Sequence, residues 1–188
     1  MHPVLRKEIE LLAREISGVS REDAQIHPVP GQGRWSAQEI VEHLILTYRL
    51  TSDELLKQLK KGKPPRNRRD GLQFFLRLQT IGMGYMPDGV PAPVAFRPRK
   101  YKPEPGVEIA ARFLEAADSM DNLLVTSRNR FGIQACGEHP FYGVMRVDEW
   151  RRYHAIHARH HLSQLRNAIV FARSGNPARE TPVGLKTA

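Results

Sequence analysis

Apolar residues recur along this chain at helical rather than strand spacing. From about Val4 to Val19, Leu5, Ile9, Leu12 and Ile16 fall three and four positions apart, which predicts an amphipathic helix. A second helix opens at WSAQEIVEHL. Ser36 can cap it while Glu39, three residues on, reaches back to the cap amide, and Trp35 can pack on Ile40 as a hydrophobic staple. Gly62 and Pro64 end this helix near Lys61. Residues 62–106 carry eight prolines and six glycines, too many for a long helix, although LQFFLRLQTIG suits a short one.

A third helix spans roughly Val107 to Asn129, with Ala110, Ala111, Leu114, Ala117, Leu124 and their neighbours supplying its inward face. FGIQACGEHPFYGVM reads as a linker, and a fourth helix runs from about Asp148 to Arg173. Strand-like alternation is scarce and no internal repeat is visible. The expectation is an all-α fold, a four-helix bundle in one domain over residues 1–188, with an irregular insertion at 62–106 and a tail at 174–188.

Composition narrows the chemistry. A chain of 188 residues, 40% apolar, suffices for one core. The single cysteine, Cys136, forms no intrachain disulfide and builds no thiolate zinc site, so a metal would need histidines and carboxylates. Charges throughout MHPVLRKEIELLAREI rule out the apolar core of a signal peptide, and no apolar run approaches the ~20 residues of a membrane span. A cytoplasmic protein without membrane association is expected. The net charge of +9 attracts anions. Lys57, Lys60, Lys61, Lys63, Arg66, Arg68 and Arg69 cluster around the end of helix two, but base-stacking aromatics are not interleaved in that run, so only weak, nonspecific nucleic-acid binding is expected.

Candidate chemistry concentrates in YHAIHARHHLSQL, where four of the eight histidines fall between His154 and His161. Arg152, Arg159, Arg166 and Arg173 recur every seventh position and mark the solvent side of this helix. Trp150, His157, His161 and Ala168 lie opposite, His154 and Gln164 on the flanks, and His160 is turned away. A lone inward histidine is usually an inert, hydrogen-bonded core residue. Two on one face are different: both cannot be charged in an apolar interior, but both can be neutral donors to one divalent cation. The i, i+3 pair His154/His157 and the i, i+4 pair His157/His161 each suit this, whereas His154 and His161, ~10.5 Å apart along the axis, cannot share an ion. A third ligand must come from another helix, and His43, inward beside Ile40, Leu44 and Thr47, is the best candidate.

WSAQEIVEHL, HPFYGVMRVDEW and HAIHARHHLSQL together resemble the DinB-like (YfiT-like) superfamily of metalloproteins over most of the chain outside 62–106. The resemblance implies an up-down-down-up four-helix bundle, often a homodimer, with a divalent metal held by His43, His157 and His161, and so selects His157/His161 over His154/His157. The sequence departs from the commoner H-H-R-G-Q-L at Leu162 and Ser163, and its proline-rich insertion is long. Zinc is the first choice of metal, with nickel or iron as alternatives.

The resemblance also implies a metal-dependent enzyme acting on a small molecule, either an S-transferase using a low-molecular-weight thiol or a hydrolase. Arg66, Arg68, Arg69, Arg97 or Arg99 would pair the carboxylate of such a thiol. Glu39, one turn before His43, is a candidate base, although its capping role competes. His139 before Pro140 shapes a turn, Trp35 and Trp150 pack the core, Gln164 hydrogen-bonds internally, and Cys136 has no cationic neighbour to activate it. A noncatalytic metal-binding or interaction domain and a nucleic-acid binder are the competing classes.

Overall fold

The computed structural model describes residues 1–28, 34–66, 71–98 and 101–174. Arg68, Arg69, Arg99 and the tail beyond residue 174 lie outside the described residues. The chain is mostly helical, with α1 (Pro3–Ser17), α2 (Ala37–Lys61), α3 (Gly71–Arg77), α4 (Gly106–Phe131) and α5 (Val147–Ser174). Leu5, Ile9, Leu12 and Ile16 from α1, Leu44, Tyr48 and Leu55 from α2, Ile109, Phe113 and Met120 from α4, and Trp150, Leu165 and Ala168 from α5 enclose one continuous core. No described helix is long and apolar enough to cross a membrane.

Local chemistry sets the helix ends. Ser36 Oγ accepts from the Glu39 amide at 3.3 Å, and Glu39 Oε2 accepts from the Ser36 amide at 2.9 Å, a complete capping box. At the other end of α2, Gly62 takes φ 68°, a left-handed conformation that glycine adopts at no steric cost. Gly106 answers a different need. Its amide donates to the Val19 carbonyl at 2.9 Å, and a Cβ there would sit 1.9 Å from the Ile16 carbonyl oxygen, so only glycine lets α4 start this close to the end of α1.

Two expectations are corrected here. The segment read as a linker is a β-hairpin: β1 (Ala135–His139) pairs antiparallel with β2 (Gly143–Arg146), with His139 opposite Gly143 and an irregularity between Ala135 and Gly137. Its strands are short, and their pairing across the turn supplies the order that alternation could not announce. The inward face of α4 is also rotated. Ile109, Phe113 and Met120 join Ala110, Ala117 and Leu124 inside, while Ala111 is exposed and Leu114 half-buried.

The insertion is fastened to the helices at several points. Gly71–Arg77 forms α3, which runs into a π-helical turn at Leu78–Gly82. Buried Arg77 donates to the Val144 carbonyl at 2.7 Å and pairs with Glu149, joining α3 to β2 and α5. Arg152 and Arg159 donate to the carbonyls of Gly82 and Gly84. On the return, fully buried Gln38 donates to the Lys102 carbonyl and accepts from the Glu104 amide. Beneath this layer, Arg151 Nε donates to Asp121 Oδ1 at 2.8 Å, a buried pair linking α5 to α4, and Asp121 Oδ2 accepts the His2 amide.

Candidate metal centre

The core-facing sides of α2 and α5 bring His43, His157 and His161 together, all buried. His157 Nε2 lies 3.1 Å from His43 Nε2 and 3.0 Å from His161 Nε2. Among the described residues these form the one group of three or more His, Cys, Asp or Glu side chains placed to hold a metal ion. The four-residue spacing puts His157 and His161 one above the other on α5.

The protonation of two of these rings follows from their partners. His43 Nδ1 lies 2.6 Å from the Phe96 carbonyl oxygen, which can only accept, so the proton is on Nδ1 and Nε2 carries a lone pair. For His161 the partner is Gln164, whose Oε1 accepts from Nδ1 at 2.8 Å while its amide nitrogen lies 3.1 Å from His160 Nε2. His161 thus holds its proton on Nδ1 as well, and its Nε2 lone pair points at the cluster.

Burial first, and then the neighbouring imidazoles, disfavour charge on these rings. The pKa of His157 is well below the ordinary histidine value and that of His161 is lowered to about 3. His43 is lowered by burial, partly offset by the Phe96 carbonyl. Three neutral imidazoles therefore meet nitrogen to nitrogen. A proton on His157 Nε2 could be donated to one neighbour but not both, and would leave Nδ1, which has no hydrogen-bond partner among the described residues, as a bare buried acceptor. A divalent cation among the three Nε2 atoms satisfies all of them at once. Zinc–nitrogen bonds of about 2.0–2.1 Å in a tetrahedral site set ligand nitrogens about 3.3 Å apart, near the two separations from His157, and all three ligand atoms lie within 4.8 Å of one another. The donor set fits the ion.

Aromatic rings wall the cluster. Tyr153 stacks on His157 at 5.5 Å with 14° between planes, and the Trp35 ring lies 4.8 Å from His43 and 6.3 Å from His161. Trp35 thus covers the site as well as packing on the core. Residues 86–96 complete the surround through the Met86 and Phe96 carbonyls and through Asp88, 3.7 Å from His160.

The remaining candidates fall elsewhere. His154 is fully buried, lies 3.2 Å from Thr51 Oγ1 through Nε2, and is not part of the cluster. His160 is outside it too, yet is joined to His161 through Gln164. His139 accepts the Phe141 amide and shapes the hairpin turn. Glu39 Oε2 accepts from the Ser36 amide and lies 3.5 Å from His27 Nδ1, so the capping role prevails over that of a base. Cys136 is buried with its thiol pushed up to about 12, mainly by burial, which makes it a poor nucleophile. Arg66 is exposed at the end of α2, and exposed Arg97 turns its Nε to the Ala92 carbonyl.

Residues 89–168 match a family described as a protein of unknown function, DUF1569. The matched segment holds Phe96, α4, the hairpin, His157, His161 and Gln164, and leaves His43 outside it. No curated protein and no solved structure matches the chain.

Proposed function

We propose that the protein is a divalent-metal protein with the DinB-like arrangement, in which α1, α2, α4 and α5 are the four bundle helices and His43, His157 and His161 hold the ion. The observation that carries this reading is the convergence of three neutral imidazoles, two of them fixed by Phe96 and Gln164 with their Nε2 lone pairs toward one point. Zinc is the favoured ion, since an all-nitrogen, neutral donor set suits it, with nickel and iron next. Three neutral ligands leave the ion its full charge and a position for a fourth group, where a bound water or thiol would lose its proton near neutrality.

The activity we assign is transfer of a low-molecular-weight thiol to a small electrophile, ahead of hydrolysis. Arg97, exposed and adjacent to the residue whose carbonyl orients His43, is the described cation best placed to pair a thiol's carboxylate. The enclosure of all three imidazoles under Trp35 and residues 86–96 favours a second reading, a noncatalytic centre that fastens the insertion to the helices.

Elemental analysis of protein prepared without a histidine tag tests the centre, with about one divalent ion per chain expected. His161→Ala should lose it and His160→Ala should retain it; a wild type that carries none and takes up none on titration ends the proposal. Incubation with an aryl halide or epoxide and several biological thiols, wild type against His157→Ala, then separates the activities. Metal- and thiol-dependent turnover supports transfer, thiol-independent turnover hydrolysis, and a loaded but inert protein the noncatalytic reading.

A further inference from the structure

The positive charge of this chain is confined to one region. Residues 57–102 contain twelve Lys and Arg against two Asp, a net of +10, so the rest of the chain is close to neutral at −1. The same region carries half of the exposed large apolar side chains among the described residues, those between Leu72 and Val94.

The two features meet at α3, where Leu76 and the following Ile81 pack on the core but most of the apolar side chains face outward. An amphipathic helix on a globular protein normally turns its apolar stripe inward. Here Arg77 and, in the following turn, Thr80 are buried, while Leu72, Phe74, Phe75 and Leu78 face outward, with Phe74 and Phe75 61% and 62% exposed. Arg77 is held inside by Val144 and Glu149, so this orientation is built into the fold. Met83 extends the apolar surface beyond the π-helical turn. Arg152 and Arg159 reach the carbonyls of Gly82 and Gly84 at its far end, and in the chain the exposed Lys60, Lys61, Lys63 and Arg66 precede α3.

We propose that the outward face of α3 docks on an anionic lipid bilayer, with Leu72, Phe74, Phe75, Leu78 and Met83 entering the headgroup–acyl boundary and these cations on acidic headgroups. Apolar residues rimmed by Lys and Arg are the composition that holds a helix in the plane of such an interface. Charge complementarity selects this occupant over a second copy, because self-association would press two regions of net +10 together. It is also favoured over single-stranded nucleic acid, which stacks its bases on aromatic platforms: Phe74, Phe75 and Tyr85 carry rings, but Leu72, Leu78, Met83, Val90 and Val94, five of the eight exposed apolar residues of this region, have none to stack. Lying on a bilayer requires no spanning helix, and the proposal does not depend on the metal centre.

The test is sedimentation of the full chain with vesicles of phosphatidylcholine alone and of phosphatidylcholine and phosphatidylglycerol in equal parts. Partition to the mixed vesicles should exceed that to the neutral ones by at least about tenfold and fall with added salt. Phe74→Ser with Phe75→Ser should lower it by about tenfold or more while circular dichroism and metal content stay unchanged. Lys60→Glu with Lys61→Glu, which leaves the apolar face intact, should also weaken it. No binding to the mixed vesicles at low salt overturns the proposal, as does binding indifferent to both pairs of substitutions. A dimer in light scattering, or a single-stranded DNA complex, that is dispersed by the Phe74/Phe75 change in a protein that ignores vesicles assigns the face to that partner instead.

Discussion

The Phe96 carbonyl oxygen lies 2.6 Å from His43 Nδ1, a contact spanning 53 residues that makes the insertion part of the histidine cluster's surroundings. For His161 the corresponding partner is Gln164 Oε1, on the same helix. The insertion thus sets the tautomer of one of the three imidazoles through Phe96. A segment that composition marks as a detour between helices is, in the fold, the outer layer of the site.

The first prediction concerns Gln164. Its Oε1 holds the Nδ1 proton of His161, and losing such an outer partner typically costs a metal site about 10–100-fold in affinity. Gln164→Ala should weaken metal binding by that factor in a chelator competition, with His160→Ala, one bond further out, weakening it less. Equal affinities for wild type and Gln164→Ala would mean that the amide does not orient the ligand.

How much of this was legible depends on how far each determinant lies along the chain. The start of α2 is written locally in Ser36 and Glu39, and the phase of α5 in its seven-residue arginine stripe, so the inward placement of His43, His157 and His161 could be read. The hairpin could not, because strands of five and four residues owe their order to pairing across the turn. The burial of Arg77 on α3 was not legible either, because its partners Val144 and Glu149 arrive from elsewhere in the chain. The Phe96 contact uses a backbone oxygen, which has no side-chain signature at all.

A second prediction follows from the approach of α4 to α1. Gly106→Ala would place its Cβ 1.9 Å from the Ile16 carbonyl oxygen, and backbone on both sides must move, for a loss of about 2–3 kcal/mol in urea unfolding. Gly18→Ala nearby is the control: its Cβ would meet nothing within 4 Å, and the change should be near neutral. Similar losses for both would point to a general intolerance of alanine at this corner rather than to the clash.

The third concerns the buried pair. Arg151→Met leaves the Asp121 carboxylate with the His2 amide alone among the described residues, and removing one member of a buried ion pair typically costs about 3–5 kcal/mol. Arg151→Met combined with Asp121→Leu removes both charges and should cost clearly less than the sum of the single changes. Additive losses in chemical denaturation would show that the two side chains act independently.

The last prediction is a pH dependence of stability. His139 and His154 are buried, and burial above all lowers each to about 3. In the unfolded chain a histidine titrates near about 6.5, so between these values the unfolded state binds more protons than the folded one and stability rises with pH. The contribution of each ring is fully present above about 6.5 and is lost as pH falls toward 3, at up to about 1.4 kcal/mol per pH unit per ring. His154→Phe keeps the ring volume and removes one titrating group, at the expense of the contact with Thr51. With chelator present throughout, so that metal release adds nothing, the variant's curve of urea midpoint against pH should be shallower than that of wild type between about pH 6 and 4. Parallel curves would show that His154 takes no part in acid unfolding, and a steeper one for the variant would reverse the sign argued here.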